Sequence, residues 1–167
     1  DVALERDPAW EEIEALADKD AVLLNCVDAE TEQRMKAVVD EAYKTGDTRG
    51  GVFEVVAHNL PVGLGSHITW DSRLDGRLAQ AVLSMQAVKG IEIGRGMLAA
   101  FSPGSKVQDT IHYDKSRRAF HRGSNFAGGL EGGMTNGQDV VVRGYIKPIS
   151  TLRKPLESVD LETRESS

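Results

Sequence analysis

Residues 124–137 read Ser-Asn-Phe-Ala-Gly-Gly-Leu-Glu-Gly-Gly-Met-Thr-Asn-Gly, five glycines in fourteen positions between two segments of strand-like composition. Leu130, Glu131 and Met134 interrupt the stretch, which marks an ordered loop with required backbone angles rather than a featureless Gly/Ser linker. Glycine permits positive φ and lets a ligand come close to the backbone, so the loop could present N–H groups to an anion. A compact turn without a ligand fits the same residues. Both readings stay open on the loop alone.

The remaining composition narrows the class. At 167 residues, 40% hydrophobic and 28% charged, the chain suits a single domain with its own core. A net charge of −6 argues against nucleic acid as a general partner, since duplex binding needs surplus Lys and Arg. A local basic site for a phosphate remains compatible with it. The one cysteine, Cys26, excludes an intramolecular disulfide and a cysteine-rich metal site, and reads as a small buried apolar group. No apolar run reaches the length of a membrane span and no signal peptide is visible, so a cytoplasmic setting is expected. The chain opens on Asp1 without a methionine and stops in the polar run Thr163–Ser167, which reads as a piece of a longer protein.

Taken in order, residues 8–17 predict a short helix with Asp7 as cap and Pro8 in the first turn. A longer helix is expected over 29–45, capped by Asp28. Met35, Val38, Val39, Ala42 and Tyr43 fall on one face, and Glu32–Lys36 and Asp40–Lys44 form i,i+4 pairs outside it. Val52 to Ala57 alternates as a strand. Leu60-Pro61-Val62-Gly63-Leu64-Gly65-Ser66 is a turn-rich loop that lacks the Gly-Lys-Ser/Thr ending of a phosphate-binding loop.

Residues 71–88 predict a helix apolar on several sides, which places it in a core between layers. Gln86 is its polar exception, either bonded to a neighbouring backbone or touching a ligand. Ile91-Glu92-Ile93 is a short strand closed by Gly94, and 107–113 with 118–122 form a hairpin around Asp114-Lys115-Ser116. Val140 to Ile146 is a strand delivering Lys147-Pro148-Ile149-Ser150-Thr151, a cation, a rigid turn and two hydroxyls suited to an anion. A plain surface Lys-Pro turn explains that pentapeptide equally well. His58, His67, His112 and His121 lack metal-type close spacing and read as surface or satisfied residues, and no nucleophile elbow or catalytic-cysteine signature occurs.

The joined motifs are far more specific than any one of them. Gly46-Asp47-Thr48 with Gly50-Gly51-Val52, the loop Leu60–Ser66, Leu74-Asp75, and Gln86-Ala87-Val88-Lys89-Gly90-Ile91-Glu92-Ile93-Gly94 together resemble the chorismate synthase family. So do Ala127–Gly137 and Lys147–Leu152, in family order and spacing from about Val27 to Thr163. The resemblance implies an α/β fold of the α+β type, a β-α-β sandwich with buried helices between antiparallel sheets. Here it is only in part, as a single partial domain over 1–167.

The resemblance also implies an activity. The family is a lyase that converts 5-enolpyruvylshikimate 3-phosphate to chorismate and phosphate in aromatic amino acid biosynthesis. The reaction is an anti 1,4-elimination requiring reduced FMN, with NADPH involved only where the enzyme is bifunctional. Carried over residue by residue, flavin contacts fall on Gln86, Ala87, Gly132, Lys147, Pro148, Ile149, Ser150 and Thr151. The family's acid/base histidines lie outside this chain, so no catalytic residue is assigned and the isolated chain is expected to be inactive. Phe126, Gln108 and Thr110 depart from the family pattern. The full-length family is a homotetramer. A stand-alone flavin- or phosphate-binding module and a purely structural fragment are the alternatives of other classes.

Overall fold

The structure, a computed structural model, describes residues 2–4, 6–17 and 24–166, so the terminal positions Asp1 and Ser167 lie outside it. Two compact units emerge, one of residues 1–49 with 148–167, the other of residues 50–147.

The first unit holds α1 (Trp10–Glu14) and α2 (Ala29–Thr45). Helix α1 is shorter than the 8–17 expected and starts two residues later than Asp7 and Pro8 suggest. Its cap is Ala9, whose N–H donates to the Glu12 carboxylate at 2.9 Å. Helix α2 has the expected bounds: the Asp28 carboxylate accepts the Thr31 N–H at 2.7 Å, and Gly46 closes it at φ 72°. Glu32 and Lys36 pair at 3.2 Å. Its inner face differs from the expected one. Thr31 and Ala42 are buried with Met35 and Val38 half-buried, whereas Val39 is exposed and Tyr43 is 67% exposed. Tyr43 instead lies under the Arg153 guanidinium, 4.6 Å from ring centroid to Cζ, a cation–π contact that tolerates solvent. Cys26, expected to be buried, is half-buried.

The second unit is built on a three-stranded antiparallel sheet of β1 (Gly51–Ala57), β2 (Val88–Ile93) and β7 (Val140–Ile146), with β7 in the centre. Between β1 and β2 the chain passes through α3 (Leu74–Leu83), so β7 fills the gap of a split β-α-β unit. Val140, Val142 and Gly144 of β7 are buried, while Val141, Arg143 and Tyr145 on the other face are half-buried. Val140 and Val142 form a core with Leu130, against which Leu74, Leu78 and Val82 of α3 and Ile91 and Ile93 of β2 pack. Beyond β2 come α4 (Gly96–Ala100), the hairpin of β3 (Ile111–Asp114) and β4 (Ala119–Arg122), and the small hairpin of β5 (Leu130–Glu131) and β6 (Met134–Thr135).

Helix α3 corrects the expected 71–88 span. It begins at Leu74, whose N–H donates to the Gly133 carbonyl at 2.9 Å, and it ends at Leu83. The Ser84 hydroxyl bonds back to the Ala81 carbonyl at 2.7 Å, and Ala87 takes φ 67°, which no right-handed helix accommodates. Strand β2 therefore starts at Val88 rather than Ile91. No residue of α3 is fully buried, since only one side meets the sheet; Leu83 is 47% exposed, and Met85, beyond the helix end, is 45% exposed. The strand β7 runs over its expected residues, and the β3–β4 hairpin is shorter than expected on its N-terminal arm. Among the described residues, no helix is long and apolar enough to cross a membrane.

Candidate functional site

The glycine stretch is ordered by its own backbone and by one carboxylate. Asp109 accepts the Ser124 hydroxyl at 2.5 Å and the N–H groups of Phe126 and Ala127 at 2.8 and 2.9 Å. Burial pushes its pKa up, but the Ser124 hydroxyl and the Ala127 and Phe126 amides, with the Arg122 charge, outweigh this and hold it below the ordinary aspartate value. Asn125 adds a second clamp: its side-chain oxygen accepts the Gly129 N–H at 2.8 Å and its amide donates to the Asp139 carbonyl at 2.9 Å. The departures at Phe126 and Thr110 leave this frame intact because the loop uses their backbones. The Phe126 carbonyl accepts the Arg95 N–H at 2.8 Å, and the Thr110 carbonyl accepts the Gly123 N–H at 2.9 Å.

Two glycine pairs serve different ends. Gly94 and Gly128 meet backbone to backbone: a Cβ on Gly94 would stand 2.4 Å from the Gly128 nitrogen, and one on Gly128 would stand 2.3 Å from the Gly94 nitrogen. Gly132 and Gly133 form the two-residue turn between β5 and β6, with φ 59° and 87°, the positive pair a primed hairpin turn requires. Of these two, Gly133 faces neighbours, its would-be Cβ lying 2.5 Å from the Ser66 carbonyl oxygen, while nothing lies within 4 Å of a Cβ on Gly132. The ordered loop and the compact turn are thus the same object, and Gly132 is its open position.

The loop 60–66 is tied to this hairpin by Thr135, which is 2% exposed. The Thr135 hydroxyl accepts the Leu64 N–H at 2.9 Å and donates to the Pro61 carbonyl at 2.6 Å, and its backbone pairs with Leu64 and Gly63. Two separated motifs of the sequence therefore fold as one piece.

A second cluster sits at the other end of α3. The Lys147 N–H donates to the Ala87 carbonyl at 2.9 Å, which brings Gln86-Ala87 beside Lys147 at the exit of β7. The register slips between Val88 and Gly90, a bulge of the kind that re-aims side chains next to functional sites. Ala87 with φ 67° is a non-glycine residue in the left-handed region, strain of the sort held at binding sites. Gln86 and Lys147 are exposed. Gly132 is not beside them: α3, of 10 residues, separates the two ends by about 15 Å at 1.5 Å per residue. Pro148, Ile149, Ser150 and Thr151 belong to the first unit and are exposed, with the Ile149 carbonyl accepting the Thr48 hydroxyl at 2.8 Å.

On the sheet face away from α3, Arg143 stands in register between Glu54 and Glu92. Its Nε lies 2.6 Å from Glu54, its Nη1 lies 3.7 Å from Glu92 and donates to the Gly94 carbonyl at 2.6 Å. The Tyr145 hydroxyl donates to Glu92 at 2.6 Å, which raises the tyrosine pKa. Burial pushes the Glu92 pKa up, yet Tyr145, the Met97 N–H and Arg143 prevail and hold it low. This network and Asp109 were not read as site residues from the sequence. The available signal was the period-two placement of Glu54, Glu92 and Arg143 on three strands, which becomes readable only once their register is known.

Both carboxylates give a pH dependence. Their folded pKa values are lowered, so in mild acid the unfolded chain binds more protons. Their stabilisation is complete above the ordinary carboxylate range, about 4, and is lost as pH falls through the folded values. Urea midpoints should therefore be flat from pH 7 to 5 and drop below it, with a shallower acid drop in Asp109→Asn.

Comparison with known proteins agrees with these motifs. The chorismate synthase family profile matches residues 8–167. A chorismate synthase of Solibacter usitatus (strain Ellin6076) is 72% identical over 166 residues, 99% of this chain and 43% of its own length. That of Koribacter versatilis (strain Ellin345) is 61% identical over 160 residues, 93% of this chain and 41% of the relative. A crystal structure of a chorismate synthase superposes with a TM-score of 0.75 at 47% identity, covering 84% of this chain and 40% of that one. The chain thus spans less than half the length of the curated relatives it matches. With the family profile covering all but the first few residues, this chain belongs to the chorismate synthase family.

Proposed function

We propose that this chain is the central portion of a chorismate synthase, a cytoplasmic, homotetrameric lyase. The full enzyme would eliminate phosphate from 5-enolpyruvylshikimate 3-phosphate to give chorismate. The observation that carries this reading is the 72% identity to a chorismate synthase across 99% of the chain. The chain contributes residues that hold reduced FMN, and NADPH enters only if the full enzyme reduces its own flavin. Bound reduced FMN supplies electron density that assists departure of the phosphate.

The residues present suit that group. Gly132 leaves room where a side chain would stand, so a ring or ribityl chain can approach the backbone. Lys147 offers an exposed cation to a phosphate or to an anionic ring, and Gln86 donates and accepts at once, as a flavin edge demands. Ala87 keeps its strained backbone beside Lys147. Pro148 and Ile149 stiffen the segment after Lys147, and the Ser150 and Thr151 hydroxyls add donors for a phosphate. The acid and base that move protons come from outside these residues, so the 167-residue chain alone should turn over no substrate.

Titrating reduced FMN anaerobically into the full-length protein tests the binding role. Lys147→Ala should weaken FMN by about tenfold, the scale of one charge-assisted contact of about 1.5 kcal/mol. Unchanged FMN affinity in both Lys147→Ala and Gly132→Val would overturn the assignment. Turnover by the isolated chain would overturn the reading of its incompleteness.

A further inference from the structure

The hairpin β3–β4 brings together two imidazoles whose separation in sequence gave no sign of a shared site. His112 and His121 are direct partners in the antiparallel register, so their side chains leave the same face of the hairpin. The ring centroids are 5.5 Å apart with 31° between the planes, and both residues are exposed. Metal–nitrogen bonds of about 2.0–2.1 Å put each ring centre about 3 Å from a shared ion, so two rings at this separation can flank one ion with small side-chain adjustment.

The surroundings favour a cation on this face. His112 Nε2 lies 3.0 Å from the Thr110 hydroxyl, an orienting partner of the kind that ligating histidines have. Asp114 is on the same face, its carboxylate accepting the Ser116 N–H and hydroxyl at 2.7 and 2.6 Å and the Arg117 N–H at 3.1 Å. Those bonds, the Ser116 hydroxyl first, hold Asp114 ionised, and its charge is close enough to interact with His121. Of the nearby cations, Arg117 pairs with Asp114, its Nε 3.8 Å from the carboxylate, and the turn also carries Lys115 and Arg118. Arg122 is opposite Ile111 on the other face, paired with Glu131. That other face carries the Tyr113–Phe120 ring pair, 5.0 Å between centroids.

We propose that His112 and His121 form a bidentate site for a first-row divalent transition ion, Cu2+ most tightly and Ni2+ or Zn2+ more weakly, with water in the remaining positions. The ranking follows from the imidazole donors and the order of divalent ion affinities. Two-stranded hairpins are marginal by themselves, so an ion that bridges β3 and β4 holds the strands together by mass action. This site shares no residue with the flavin contacts and stands or falls independently of them.

Calorimetric titration of the untagged protein with Cu2+, with Mg2+ as control, tests it. One tightly bound Cu2+ per chain is expected. His112→Ala or His121→Ala should each weaken it by at least roughly tenfold, since even loss of an orienting partner costs that much. His112→Gln and His121→Gln, which keep bulk and polarity, should do the same, while His67→Ala leaves binding unchanged. Tryptic cleavage after Lys115, Arg117 and Arg118 gives a second readout: Cu2+ should slow it in the parent protein and not in the variants. Tight binding that survives in the double variant H112A/H121A overturns the proposal, as binding at the amino terminus would. So does equal loss in His67→Ala, or Cu2+ binding that leaves tryptic cleavage of the hairpin unchanged.

Discussion

Gly94→Ala should lower stability by about 2–5 kcal/mol, adding the cost of a left-handed residue with a side chain to that of overpacking. Gly94 has φ 57°, and its new Cβ would stand 2.3 Å from the Phe126 carbonyl oxygen and 2.4 Å from the Gly128 nitrogen. Both are backbone atoms, which cannot rotate away. They also belong to a tight clip, in which the Gly94 N–H donates to the Val141 carbonyl at 2.9 Å and the Val141 N–H to the Gly128 carbonyl at 3.2 Å. For a chain of this size each kcal/mol shifts the melting temperature by about 2–4 °C, so a fall of roughly 4–20 °C is expected in a thermal melt. Gly132→Ala is the matched control. It shares a positive φ but meets nothing within 4 Å, so about 1–2 kcal/mol of backbone strain is its whole cost. Equal melting temperatures for the two variants would show that the close approach of Gly94 and Gly128 does not constrain the fold.

Asp109→Ala should cost about 3 kcal/mol, the second large effect. One carboxylate holds a hydroxyl and two amides of the glycine loop, and its removal leaves all three donors without that acceptor. Asp109→Asn keeps one acceptor oxygen and should cost about half as much. Urea unfolding at pH 7 would read both as shifts in midpoint with an unchanged slope. If Asp109→Ala unfolds at the parent midpoint, the loop is held by its glycine contacts and Asn125 instead. If stability falls and FMN binding by the full-length protein falls with it, the loop's order is also what presents Gly132.

Local signals were legible where local physics decides. The bounds of α2 follow from Asp28, whose carboxylate meets the Thr31 amide, and from Gly46, which alone suits the left-handed close. The strand β7 follows from a β-branched run whose alternation survives in its burial. The expected α3 runs too far because apolar residues at 85 and 87 continue the pattern after the helix has ended at Leu83; Ala87 is left-handed, and its carbonyl is bonded to the Lys147 N–H of the neighbouring strand's exit. Tyr43 and Val39 read as inner residues because periodicity marks an apolar face, not what covers it.

The candidate site divides the same way. Gln86, Ala87, Gly132 and Lys147 through Thr151 could be named from the family motifs they sit in. That Ala87 and Lys147 are neighbours depends on β7 pairing beside β2, and that Gly132 lies at the far end of α3 depends on the Leu74 amide meeting the Gly133 carbonyl. Asp109, the Arg143 network and the facing histidines were invisible as units because each joins residues distant in sequence. Chain order by itself determined the family, the glycine turns and the alternating strands, since these rest on backbone geometry within a few residues. Only the tertiary structure decided which glycines of residues 124–137 are packed and which one is open, because a missing Cβ acquires meaning from the atoms that fold against it.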